Sequence, residues 1–150
     1  MRLVIQRVGR ASVSIGGECH SAIGSGLMVL VGVATGDTAD DARWLAAKTV
    51  AMRIFPDDAG VMNRSVADAG GEILAVSQFT LNASTRKGNR PSYIHAAGHE
   101  VAVPLYELYC EECSRLLGRE TARGVFGADM QVELVNDGPV TIVIDSRLRE

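Results

Sequence analysis

The sequence predicts an α/β fold in which N-terminal β-hairpins feed a mixed, barrel-like sheet with two main helices packed outside it. Three observations carry this reading. The first third consists of short alternating or apolar stretches punctuated by glycine-rich turns, the pattern of strands joined tightly. Residues 27–33 and 73–81 are largely apolar runs of the length expected for strands buried on both faces. Two further segments carry apolar residues at helical spacing. The chain has 150 residues, 47% apolar and 22% charged, with mean hydropathy +0.11. That suffices for one domain spanning residues 1–150 and excludes long disorder. No repeat, linker or low-complexity stretch divides it.

Taken in order, Val4, Gln6 and Val8 alternate with Ile5 and Arg7, and residues 11–15 then run into Gly16-Gly17, a dipeptide that favours hairpin turns. Residues 19–23 form the return strand, and Gly24-Ser25-Gly26 turns the chain into the central strand at 27–33. Asp37, with Asp40 three positions on, reads as the cap of a helix from about residue 38 to 53, with Leu45, Thr49 and Met52 on one face. Residues 56–60 form a turn. The second buried strand, 73–81, gives way to a polar loop through Pro91. Leu105, Leu108, Tyr109, Cys113 and Leu116 mark the second helix, which Gly118 ends. Two strands, 131–136 and 140–145, are separated by Asp137-Gly138-Pro139.

The longest apolar run falls far short of a membrane span, and Arg2 and Arg7 leave no room for a secretory core, so the expected compartment is the cytoplasm. Three cysteines then read as reduced thiols. A net charge of −3 and a pI near 5.6 argue against extensive wrapping of nucleic acid and say nothing of local patches.

Several motifs have bland readings. Gly24-Ser25-Gly26 lacks the third glycine and following helix of a dinucleotide site, and Lys87-Gly88 lacks a phosphate-cradling glycine framework. His95 and His99, four apart with Glu100 following, resemble half of a zinc-protease helix without its second histidine. Cys110-Glu111-Glu112-Cys113 falls mid-helix rather than at the helix N-terminus that a redox pair requires, so buried structural thiols are expected. No metal and no cofactor is expected.

Three segments are less ordinary. Ser77-Gln78-Phe79-Thr80-Leu81 puts polar groups in a buried strand, although alternation alone permits Gln78 and Thr80 to face water. Residues 85–92 hold Arg86, Lys87 and Arg90 without an acid, either as a solvated loop or as a contact to phosphates. Asp-Gly favours a hairpin at 137–138, yet Pro139 removes an N–H where the return strand would begin to pair, and a Gly-Pro bond makes the cis isomer accessible.

Together with Phe126-Gly127-Ala128-Asp129-Met130 and Asn136-Asp137-Gly138-Pro139-Val140-Thr141, these segments resemble the D-aminoacyl-tRNA deacylases, from the Ile5-Gln6-Arg7-Val8 opening to the final strand. The resemblance implies hydrolysis of the ester joining a D-amino acid to the terminal adenosine of tRNA, by a homodimer whose cis Gly138-Pro139 enters the partner's site and excludes L-aminoacyl groups. It further implies that Arg7 supports that segment and that Ser77, Gln78, Phe79 and Thr80 line the ester site. Phe126 and Met130 would hold the adenine, and Arg86, Lys87 and Arg90 would meet acceptor-stem phosphates. Thr80 is the hydroxyl nucleophile by position, but no motif supplies its base. An oxyanion hole of N–H groups near Phe79 and Thr80, with the tRNA 2′-hydroxyl assisting water, is the simpler expectation. A glycyl group has no Cβ to exclude, so glycyl-tRNA is expected to be cleaved too. The alternatives are a related deacylase of mischarged L-alanyl-tRNA, whose relatives replace Ser and Phe of the pentapeptide, and a non-catalytic RNA-binding dimer.

Overall fold

The computed structural model describes residues 1–149. The order is β1 (Arg2–Ile15), β2 (Glu18–Ile23), β3 (Gly26–Gly32), α1 (Ala39–Ala51), β4 (Phe55–Pro56), β5 (Met62–Arg64), β6 (Glu72–Ser77), a 3-10 turn (Phe79–Asn82), α2 (His99–Leu117), β7 (Ala122–Arg123) and β8 (Gln131–Asp145). The long β1 organises the main sheet. Antiparallel β3 pairs with its first half, antiparallel β2 with its second half, and antiparallel β8 follows its other edge for nearly the whole length. Parallel β6 and β7 extend the sheet beyond β3, and the Ser21 hydroxyl donates to the Arg123 carbonyl at 2.8 Å, bringing β2 back against β7. The mixed sheet is therefore nearly closed into a barrel.

Two cores result. Leu3 and Ile5 of β1 join Val29, Val31, Ala75 and the inner faces of α1 and α2 in the larger one, outside the barrel. Val8, Ala11, Val13, Met28, Leu74 and Val76 fill the barrel interior. The facing residues of β1 change parity between Val8 and Ala11, because the pairing with β8 slips at Gly9, which sends the strand's second half from β3 to β2. The stretches 4–8 and 11–15 are thus one bent strand.

Other boundaries differ from the sequence expectation for identifiable reasons. Thr38 rather than Asp37 caps α1: Asp41 accepts from the Thr38 N–H at 2.8 Å, while the buried Asp37 carboxylate pairs with the Met1 α-ammonium at 2.7 Å and with Arg147 at 2.9 Å. The second buried strand stops at Ser77, and Gln78 leads into the 3-10 turn. A Cβ on Gly32 would come within 2.9 Å of the Leu81 Cβ and 3.1 Å of the Gln78 carbonyl, so glycine there lets the turn fold down over the end of β3. Gly98 caps α2 and leaves His95 outside it, so the two histidines do not share a helical turn.

The expected hairpin at Asp137-Gly138 is instead a wide bulge. Val8 faces Asn136 and Gln6 faces Thr141, so Asp137 to Val140 stand opposite Arg7 alone while β8 continues in one direction on both sides. No described helix is long and apolar enough to cross a membrane.

Cys110 and Cys113 are buried against Tyr106 and Tyr109, and burial pushes their thiols up to about 11 and about 12. Cys19 is exposed. Iodoacetamide at pH 8 is expected to modify Cys19 and to reach the α2 pair at least about 100-fold more slowly until the protein is unfolded. Mass spectrometry of the time course checks this; equal labelling of all three thiols would contradict it.

Candidate active site

At one end of the barrel the carboxyl end of β6 opens into a cavity of about 680 Å³. Its floor is Val76 and Val132. One wall is Ser77, Gln78 and Phe79, another is Ala97, Gly98 and His99 at the start of α2, and the third is the loop from Phe126 to Met130. Parallel β3 and β6 fix the first wall: the Gln78 N–H donates to the Val31 carbonyl at 2.8 Å as the last bond of that ladder, after which the chain turns. The N–H groups of Phe79 and Thr80, which open the 3-10 turn, donate to no other backbone group among the described residues.

The Gln78 side-chain amide donates to the Thr80 hydroxyl at 2.5 Å. Thr80 itself lies behind the wall and does not line the cavity. Phe79 is about half exposed and meets the Tyr93 ring edge-on at 5.0 Å between centroids. Phe126 is held between Tyr106 (6.0 Å) and His99 (5.3 Å), both edge-on, and Tyr106 is anchored by its hydroxyl on the Ala75 carbonyl at 2.9 Å. Met130 lies over Gly124, where an added Cβ would approach the Met130 sulfur to 2.6 Å. Gly124 thus permits Met130 to form the cavity edge.

Of the residues singled out from the sequence, the structure brings Ser77, Gln78, Phe79, Phe126 and Met130 together. It does not bring Arg86, Lys87 and Arg90 to this cavity; they are exposed on the loop after the 3-10 turn, and Arg86 borders a separate cleft. Gly138 and Pro139 are likewise exposed and line no part of their own chain's cavity. Their peptide bond is cis. Arg7 lies beneath them, buried, donating from Nε to the Asp137 carbonyl at 3.1 Å and from Nη1 to the Ile54 carbonyl at 2.6 Å, with the Asp137 carboxylate 3.3 Å away. One guanidinium therefore ties the bulge to the segment after α1.

Sequence reasoning did not assign Val76, Ala97, Gly98, His99 or Val132 to the cavity. His99 carried a signal, an ionisable ring beside the helix start, but its spacing from His95 suggested only half of a zinc-protease helix, a reading set aside, and not the wall it forms. The two valines are indistinguishable in sequence from other core positions.

A sequence profile of the D-Tyr-tRNA(Tyr) deacylase family matches residues 4–145. Among curated relatives, the D-aminoacyl-tRNA deacylases of Akkermansia muciniphila and Bacteroides thetaiotaomicron are 61% and 58% identical, each over the full length of both chains. Among solved structures, one described as a c-Myc DNA unwinding element binding protein superposes with a TM-score of 0.92 at 42% identity, covering 97% of this chain and 98% of that one. Another, described as a probable eukaryotic D-amino acid tRNA deacylase, gives 0.82 at 16% identity over 95% and 97% of the two chains, a likeness of fold. With the profile spanning nearly all of the sequence and full-length relatives at this identity, the chain is a hydrolase that belongs to the D-Tyr-tRNA(Tyr) deacylase family.

Proposed function

We propose that this chain hydrolyses the ester between a D-amino acid and the 3′-terminal adenosine of tRNA, releasing free D-amino acid and tRNA, and that it works as a homodimer in the cytoplasm. The observation that carries the reading is the cavity itself: the wall residue Phe79 and the Thr80 that follows it have backbone N–H groups that donate to no backbone group among the described residues, and an aromatic ring and a thioether stand on the cavity's other side. A volume of about 680 Å³ suits an aminoacyl-adenosine. In this reading Phe126 and Met130 receive the adenine by edge and apolar contact, and the ester carbonyl points at the two N–H groups, which stabilise the tetrahedral oxyanion.

Attack comes from water. The Thr80 hydroxyl accepts from Gln78 and has no base beside it, which makes it a poor nucleophile. The vicinal 2′-hydroxyl of the terminal ribose is the group positioned by the substrate's own chemistry to assist.

Chiral selection in this reading belongs to Gly138 and Pro139. They project from β8, which among the described strands pairs with β1 alone and exposes Val135 and Val143. Such a long edge is a template for a second copy. A dimer formed there delivers the Gly-Pro main chain to the partner's cavity, where rigid backbone occupies the direction in which an L side chain would project. A glycyl group presents nothing in that direction, so glycyl-tRNA is a substrate as well.

The test is hydrolysis of matched D- and L-tyrosyl-tRNA by the purified protein. The expected result is release of D-tyrosine with L-tyrosyl-tRNA left intact. Equal cleavage of both would sink chiral selection, cleavage of L-alanyl-tRNA in preference would favour the other deacylase class, and tRNA binding without cleavage would leave only an RNA-binding dimer. Glycyl-tRNA as resistant as L-tyrosyl-tRNA would remove steric exclusion as the mechanism.

A further inference from the structure

On the far side of the 3-10 turn lies a second cleft of about 670 Å³ that the deacylation chemistry does not use. It is bordered by Arg2, Thr35, Ser84, Arg86, His95 and Arg147. The charge around it is opposite in sign to that of the whole chain. The Met1 α-ammonium, Arg2, Arg86 and Arg147 face two carboxylates, Asp37 and Asp145, which leaves two positive charges unneutralised in a protein whose net charge is −3.

Two of the arginines are also held in place. Arg2 donates to Asp145 from Nε at 3.1 Å and Nη2 at 3.0 Å, and from Nη1 to the Leu81 carbonyl at 2.9 Å, inside the 3-10 turn. Arg147 donates from Nη2 to the Thr35 carbonyl at 2.6 Å, pairs with Asp37 at 2.9 Å, and donates its backbone N–H to Asp145 at 2.9 Å. Its remaining N–H groups, the Arg86 guanidinium and the Ser84 and Thr85 hydroxyls make no side-chain hydrogen bond among the described residues. A fixed guanidinium fork with spare donors, beside free hydroxyls and a mobile-stem arginine, is chemistry for phosphate oxygens. Among the described residues the cleft's border holds no Phe, Tyr or Trp on which a base could stack.

We propose that this cleft is a phosphate-binding site that grips the RNA backbone just behind the terminal nucleotide and reads no sequence. The proposal rests on the deacylase reading for the identity of the RNA. It extends the contact from the loop carrying Arg86 to Arg147 and His95, which come from the C-terminal segment and from the approach to α2. The 3-10 turn links the two sites, with Phe79 at the cavity and Asn82 at the cleft, about 6 Å apart along its axis. One short turn therefore carries a residue of each site.

The experiment is fluorescence-anisotropy titration of an uncharged acceptor-stem minihelix across a range of KCl concentrations, with wild type, Arg147→Gln and His95→Glu. Among the described residues the His95 side chain makes no hydrogen bond, so His95→Glu takes one unit off the cleft's excess positive charge even where Arg147→Gln fails to fold. Each variant is expected to raise Kd about tenfold at low salt, and Arg147→Gln to lower the slope of log K against log salt by about one. Unchanged Kd in His95→Glu, or an unchanged salt slope in folded Arg147→Gln, would overturn the site. Hydrolysis of D-tyrosyl-adenosine, which has no phosphate, is followed separately: its absence in wild type would sink the deacylase reading while leaving the minihelix result standing.

Discussion

Gly138→Ala is expected to lower kcat/KM for D-tyrosyl-tRNA by at least about 100-fold while leaving the fold intact. Gly138 has φ +125, a conformation that side chains rarely adopt, and an added Cβ would lie 3.0 Å from the Arg7 Nη2 and 3.0 Å from Val140 Cγ2. Relief of that contact shifts the bulge, because Arg7 cannot retreat: it is buried and tied to Ile54 and Asp137. The backbone cost is about 1–3 kcal/mol, or roughly 2–4 °C in Tm per kcal/mol for a domain of this size. Catalysis suffers more, since a displacement of about 1 Å in a group that positions substrate costs about 100-fold.

The proposed cross-subunit arrangement gives this variant a second readout. Phe126→Ala removes an aromatic ring from the cavity wall and, with the adenine-binding role proposed for it, is also expected to be poorly active. If Gly138 serves the partner's cavity, mixing the two variants and allowing subunits to exchange creates hybrid dimers with one cavity intact on both counts, and activity returns. No recovery in a mixture verified by mass spectrometry to contain hybrids would mean that Gly138 acts within its own chain, or not at the site at all.

The origin of the site's legibility differs from element to element. Residues 27–33 and the start of 73–81 are readable because a strand buried on both faces has no polar positions, and both runs are where expected. Polar residues in such a run were the sign that it stops: Gln78 and Thr80 are not the wet face of a strand but the start of a turn, and what makes the turn possible is Gly32 on another strand. A contact between positions so far apart in sequence leaves no local pattern. At Gly9 the pairing with β8 slips and the odd-numbered residues of β1 pass from one core to the other, the glycine within the strand being the local sign of it. For 137–140 the local signal for a turn was real, but register against β1 decides that the chain loops out and continues in the same direction. The charged cleft was the least visible of all, because its arginines come from residues 2, 86 and 147 and only the middle one sits in a basic stretch.

Replacing the terminal adenosine of 3′-D-tyrosyl-tRNA with 2′-deoxyadenosine is expected to slow hydrolysis by about 100- to 10,000-fold, the range associated with a positioned proton-transfer group. Thr80→Ala is expected to cost less than about tenfold. The structure motivates the contrast. Thr80 lies behind the cavity wall, its hydroxyl oxygen accepts the Gln78 amide proton, and no histidine or carboxylate is hydrogen-bonded to it. Its backbone N–H, by contrast, donates to no backbone group among the described residues and survives mutation to alanine. A nucleophilic Thr80 would form an acyl-enzyme, so Thr80→Ala would abolish turnover and the wild type would release tRNA in a burst ahead of D-tyrosine. Single-turnover measurement of both products, with each substrate and each protein, therefore distinguishes the two chemistries. Retained activity on the 2′-deoxy substrate together with loss in Thr80→Ala would assign attack to the threonine; the opposite pattern leaves the protein as a scaffold of fixed donors that stabilises an oxyanion and lets the tRNA supply the proton relay.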